Sequence, residues 1–220
     1  MSASFNALVT GTSRGLGLEI VRQLVAKSHI NLVFATGRSD PTPELQKTID
    51  SSSGRVVYLR FDPVKIDDVR ATLDTVKEKL AGASLDLLIN NVGSMPFTPE
   101  GIASMNDLTE TFNVNVLSAH NVTSVFLPLM EKSSLKKIMN ISTTLGSLAL
   151  APRYQFFSVP AYKITKAALN MLTVQYALEY AERGYIFISL SPGVSIFSLP
   201  FHSLLLLFLS FLVLSSETCG

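Results

Sequence analysis

The chain has 220 residues, enough for one α/β domain with a sizeable core and too few for two comfortable ones. Its net charge of +1, with basic residues spread along the chain, excludes a nucleic-acid surface or a basic membrane patch. The lone cysteine, Cys219, excludes an intramolecular disulfide and a cysteine-based metal site, and no metal is expected.

In chain order, Ala7–Val9 reads as a first strand, followed by an amphipathic helical stretch from Gly15 to Lys27. Asn31–Thr36 and Val56–Phe61 read as the second and third strands, and Ile66–Leu80 as a helix leading to an apolar strand at Leu85–Ile89. A long helix is expected over Leu108–Glu131, a strand over Lys137–Ile141, a helix from Ala161 to Arg183 ending before Gly184, and a strand at Ile186–Leu190. Strands alternating with helices predict βαβ crossovers, hence a doubly wound parallel sheet covered by helices on both faces, the Rossmann arrangement. Six strands are recognisable, with a seventh missing or replaced, in a nucleotide-binding domain spanning 1–193.

Thr10-Gly11-Thr12-Ser13-Arg14-Gly15-Leu16-Gly17 lies between the first strand and the first helix. Gly11 permits a tight turn, while Gly15 and Gly17 allow backbone approach to a pyrophosphate set on the helix N-terminus. Glycines also punctuate ordinary turns, but the order strand, loop, helix favours dinucleotide binding. The spacing Gly-x-x-x-Gly-x-Gly resembles the short-chain dehydrogenase/reductase family, and within it the carbonyl-reductase-like branch with the C-factor-type proteins, over about Phe5 to Val194.

Where NAD enzymes place an acid on the ribose 2′-hydroxyl, the second strand ends Thr36-Gly37-Arg38. Gly37 brings no carboxylate to repel a 2′-phosphate, and Arg38 with Arg14 can flank it by charge-assisted hydrogen bonds. Either arginine alone reads equally well as solvated surface, but the pair, with the acid missing, predicts NADP(H). The resemblance further implies that Asp62 contacts the adenine, that Ser13 and Leu16 belong to the phosphate loop, and that Asn90 and Gly93 of Asn90-Asn91-Val92-Gly93 border the cofactor. It also implies that Ser191-Pro192-Gly193 and Val194 form the turn capping the nicotinamide.

Tyr162 and Lys166 stand four apart, on one face of a helix. Carbonyl reduction needs a hydride on carbon and a proton on oxygen, and a tyrosine near its usual pKa of about 10 relays protons poorly at neutral pH. Lowering it by about three units requires roughly 4 kcal/mol, which Lys166 and a positive nicotinamide ring could supply. The resemblance implies that Lys166 also holds the nicotinamide ribose, that Asn115 holds a proton-relay water, and that a hydroxyl from Ser142 or Thr143 binds the substrate oxygen. Thr143 is favoured, although threonine is stiffer about χ1. Nineteen positions separate Thr143 from Tyr162, more than the family usually has, which predicts an insertion around Ala151–Val159.

The expected activity is NADPH-dependent reduction of a small aldehyde or ketone. The competing reading is a catalytically silent nucleotide-binding remnant, produced by C-terminal truncation or intron read-through. The resemblance also implies a homodimer or homotetramer paired through the helices bearing Asn115 and Tyr162. Met1–Asn6 lacks the basic and apolar regions of a secretory signal, so a cytoplasmic location is expected.

Residues 194–220 read differently. The mean hydropathy of +0.35 owes much to them, and no Asp, Glu, Lys or Arg lies between Arg183 and Glu217. In Val194–Leu214, seventeen of twenty-one residues are Leu, Phe, Ser or Pro, whose codons can be written in pyrimidines alone, which resembles a translated intron. Residues 196–214 are nineteen uncharged positions, near the roughly 20 that span a bilayer, but Pro200, His202 and serines interrupt them and no basic flank adjoins. A membrane anchor is therefore the weaker reading. An apolar tail beside an unpaired edge strand predicts poor solubility and weak activity.

Overall fold

Six runs of mainly apolar residues pair into one all-parallel sheet: β1 (Phe5–Val9), β2 (Ile30–Gly37), β3 (Val56–Arg60), β4 (Leu87–Asn90), β5 (Lys137–Ile141) and β6 (Ile186–Leu190). They are seen in a computed structural model that describes residues 4–192. The sheet order is β3-β2-β1-β4-β5-β6, so the winding reverses between β1 and β4. At that switch point the carboxyl ends of the strands open a crevice.

Side chains alternate across the sheet. Ala7, Val9 and Ile89 pack on one face with Leu18, Val21 and Leu24 of α1 (Gly15–Val25) and Leu45 of α2 (Pro43–Ser51). Leu8, Phe34 and Leu88 pack on the other with Val69 of α3 (Ile66–Ala71), Val76 of α4 (Leu73–Leu80), and Val122 and Phe126 of the helix ending at Phe126. Burial on both faces is why β1 and β4 read as continuous apolar runs.

Three expectations change. The helix anticipated over Ile66–Leu80 is two helices meeting at Thr72, whose N–H and hydroxyl both donate to the Val69 carbonyl and close a tighter turn. α2 fills the stretch between the second and third strands, for which the sequence reading names no element; Pro43 opens the helix behind Thr42, whose hydroxyl accepts from Leu45 N–H at 3.4 Å. The helix expected over Leu108–Glu131 comprises α5 (Leu108–Phe112), a wide π turn over Asn113–Leu117, α6 (Ser118–Phe126) and a 3₁₀ turn to Met130. The last long helix, α7 (Pro160–Tyr180), ends through a 3₁₀ turn at Gly184, which adopts φ +73°.

A buried polar ladder crosses the sheet. Asn90 donates to Thr123 Oγ1 at 3.0 Å and Asn140 Oδ1 at 2.8 Å, Asn140 donates to Thr173 Oγ1 at 2.8 Å, and Ser189 reaches the same hydroxyl at 2.9 Å. Asn140→Ala removes the centre of this ladder, leaving one buried Asn90 amide hydrogen without its acceptor and the Thr173 hydroxyl without one of its donors. It should cost on the order of 2–3 kcal/mol, read from urea denaturation; a change under about 0.5 kcal/mol would contradict the ladder's role. Among the described residues no helix is long and apolar enough to cross a membrane. Gly193, Val194 and the whole 194–220 segment lie outside them.

Candidate active site

The phosphate loop is held from both sides. Thr12 donates twice to the Thr36 carbonyl, from N–H at 2.9 Å and from Oγ1 at 3.0 Å, docking the loop on β2. Asn91 Nδ2 donates to the carbonyls of Thr10 at 3.0 Å and Gly11 at 3.1 Å, docking it on the end of β4. Thr10 Oγ1 in turn accepts from the N–H groups of Asn91 at 2.9 Å and Val92 at 3.3 Å. Gly11 has φ +68°. A Cβ on Gly17 would overlap the Gly11 carbonyl and sit 2.6 Å from Asn91 Nδ2, so residue 17 has room for hydrogen only.

This loop is one wall of a cavity of about 660 Å³. Ser13, Arg14, Gly15, Leu16 and Arg38 line it on one side, Asp62 beyond β3, and Asn91 to Met95 on the other. Arg14 and Arg38 are exposed, and among the described residues neither guanidinium has a hydrogen bond or ion pair. Asp62 Oδ1 accepts from Val64 N–H at 3.1 Å, and Asn121, buried on α6, holds that turn through the carbonyls of Pro63 and Val64. The Asn90 amide donates between strands, and its neighbour Asn91 lines the cavity. Open space, a glycine cradle at a helix N-terminus and two unpartnered cations suit a phosphorylated dinucleotide.

Gly93 joins this cavity to a second group of residues. A Cβ there would stand 3.3 Å from Asn115 Oδ1 and 3.5 Å from Lys166 Nζ. Asn115 sits in the π turn, a common device for re-aiming a side chain at a functional site. Its Oδ1 accepts from Ser94 N–H at 2.7 Å, and its Nδ2 donates to the Ser94 carbonyl and to Thr165 Oγ1, both at 2.9 Å. The side-chain amide thus fixes the loop after β4, and its hydrogen bonds go to protein groups.

Of the two hydroxyls left open by the sequence, Thr143 is the one beside Tyr162 that acts on its phenol, and its Oγ1 accepts from Leu145 N–H at 3.2 Å. Ser142 is buried and donates to Asn170 Oδ1 at 2.6 Å, two helical turns beyond Tyr162. Thr143 is placed by the 3₁₀ turn Thr144–Gly146, which lies directly on α7: a Cβ on Gly146 would meet the Lys166 and Ala167 backbone at 2.8–2.9 Å. Burial pushes the Tyr162 phenol above its ordinary value, and the Thr143 hydroxyl pulls the other way. The Lys166 ammonium donates to the Ile141 carbonyl at 2.6 Å and lies 5.7 Å from the Tyr162 ring centre.

Burial lowers Lys166 from 10.5 to about 8. Between those values the folded chain holds fewer protons than the unfolded chain, so the Lys166 contribution to stability rises with pH across that window. Its full burial cost is present below about 8. Lys166→Met should therefore stabilise the chain most at neutral pH, with the advantage shrinking as pH rises past 8. Denaturation midpoints that keep a constant gap across this range would contradict it.

The residues missed from the sequence are Thr10, Asn91, Asn121 and Asn170, all of which act by holding backbone or another side chain. Only Asn91 carried a signal, through its place beside Gly93.

The short chain dehydrogenase family model matches residues 6–195. The chain is 34% identical over 197 residues to the short-chain dehydrogenase/reductase atnB of Arthrinium sp, covering 84% of this chain and 72% of that protein. It is 30% identical over 203 residues to the short chain dehydrogenase virK of Hypocrea virens, covering 85% and 72%. Among solved structures, NADPH-bound carbonyl reductase from chicken fatty liver superposes with a TM-score of 0.80 at 31% identity, covering 87% of this chain and 76% of that one.

Proposed function

Because the chain belongs to the short-chain dehydrogenase family of oxidoreductases, we propose that it reduces a small aldehyde or ketone to the alcohol with NADPH. The observation that carries this reading is the convergence of Thr143 and Lys166 on Tyr162, with the Lys166 ammonium beside Gly93 of the glycine-loop cavity. It is supported by the likeness to a carbonyl reductase that binds NADPH.

The Gly11–Gly17 loop would hold the pyrophosphate, Arg14 and Arg38 the 2′-phosphate, Asp62 the adenine, and Gly93 and Lys166 the nicotinamide ribose. Pro192 would open the turn that caps the nicotinamide. Bound there, NADPH would supply a hydride for the carbonyl carbon. The Thr143 hydroxyl orients the carbonyl oxygen, and Tyr162 Oη gives that oxygen its proton. Lys166, still charged at neutral pH with its pKa near 8, stabilises the phenolate left behind. Apolar Met171, Val174 and Leu178 are exposed at helical spacing along α7 and support a homodimer.

Cofactor choice is the part that Gly37 and the arginines carry. NADPH should bind at least about tenfold more tightly than NADH, the strength of one charge-assisted contact. Arg38→Asp should erase most of that margin and leave NADH binding within about twofold. Titration by quenching of cofactor fluorescence decides it, and equal wild-type affinities would remove the assignment.

A further inference from the structure

Gly37 ends β2 where an acid would select NAD, and its φ is outside the left-handed region, so its backbone alone would accept any residue. Space is what confines it to glycine. A Cβ there would overlap the Tyr58 hydroxyl and lie 3.0 Å from Ser13 Oγ. Tyr58 comes from β3, packed partly against the core, and its hydroxyl donates to the carbonyl of Ser39. Ser39 directly follows Arg38, so the same hydroxyl anchors the turn that carries the cavity's second arginine. The adjacent Arg60–Asp40 pair, at 3.3 Å, is exposed on both sides and adds little to that anchor.

We propose that Tyr58 is a positioning residue that sets cofactor choice in two ways. It occupies the volume that an acid at residue 37 would need, and it holds the Arg38–Ser39 turn against the end of β3. This rests on the NADPH reading above and adds to it that glycine at 37 and tyrosine at 58 act as one unit. Only when the hydroxyl is removed is there room for a side chain, because the nearest ring atom, Cζ, would lie at 3.4 Å, an ordinary contact. The Ser13 hydroxyl ends a short side chain that can rotate away.

The test is a cycle of Gly37→Asp, Tyr58→Phe and the double variant, with NADPH and NADH affinities measured directly and folding checked by circular dichroism. Tyr58→Phe alone should weaken NADPH about threefold to tenfold, the worth of one hydrogen bond on the arginine turn, and leave NADH within about twofold. Gly37→Asp alone should weaken both cofactors, because the displaced tyrosine disturbs the loop on both of its sides. The double variant should bind NADH at least about tenfold more tightly than Gly37→Asp does and prefer it over NADPH, a coupling that independent sites would not show. A switch to NADH by Gly37→Asp alone, or an unchanged NADPH-to-NADH ratio in Tyr58→Phe, would overturn the proposal. If Gly37→Asp does not fold, recovery of folding and NADH binding in the double variant supports it, and failure of both overturns it. A wild-type chain that already prefers NADH would instead strike the underlying reading.

Discussion

Tyr162→Phe is expected to lower turnover by about a thousandfold while leaving NADPH affinity within about twofold, the range of a single proton donor removed from an otherwise intact site. The ring itself remains, so the packing beside Lys166 and the cavity walls on the far side of Gly93 are unchanged. What disappears is the phenol hydroxyl beside Thr143, and with it the proton for the developing alkoxide. The wild-type phenol sits above its ordinary pKa without cofactor, which keeps it protonated and ready as an acid. Steady-state kinetics with a reactive aldehyde, alongside cofactor titration, check both halves. Retained turnover would show that another group supplies the proton.

The second large effect is expected at Gly17. Gly17→Ala should weaken NADPH by at least about 100-fold and destabilise the fold by about 2 kcal/mol, as forced overpacking does. The new methyl would overlap the Gly11 carbonyl and press on the Asn91 amide, the group that ties the loop to β4. Gly15→Ala is the control for stability, since its Cβ would meet no protein atom within 4 Å and only the φ of +57° is strained, a cost of about 1 kcal/mol. Fluorescence titration and thermal melts separate the two. Equal losses of stability from both substitutions would mean that backbone strain, rather than the Asn91 clamp, sets the loop.

Much of the fold was legible because a parallel sheet buries both strand faces and leaves apolar runs at Ala7–Val9 of β1 and Leu87–Ile89 of β4. The order of elements and the glycine spacing then put the phosphate loop on α1. α2 escaped because prolines signal loops more often than helix starts, although Thr42 before Pro43 carried the capping signal. The break at Thr72 and the π turn at Asn113–Leu117 depend on tertiary packing, which a periodic pattern does not encode.

At the site, spacing placed Tyr162 and Lys166 on one face but could not say where the ammonium points, and it turns to the Ile141 carbonyl. Nor could spacing distinguish adjacent residues. Asn90 and Asn91 leave β4 in opposite directions, one into the polar ladder and one towards the phosphate loop. Ser142 and Thr143 diverge in the same way at the end of β5, towards Asn170 and Tyr162. Tyr58 had no signal at all, because its effect on Gly37 arises only when β2 and β3 pair.

The most direct measurement is a single-turnover reaction with the protein in excess over NADPH carrying deuterium at the transferable nicotinamide position, offered a panel of aldehydes and ketones. The account predicts alcohol with deuterium on the former carbonyl carbon, in step with NADPH oxidation, and its loss in Tyr162→Phe. NADPH that binds yet stays reduced with every carbonyl, in wild type and variant alike, would contradict it and leave a nucleotide-binding protein without this chemistry.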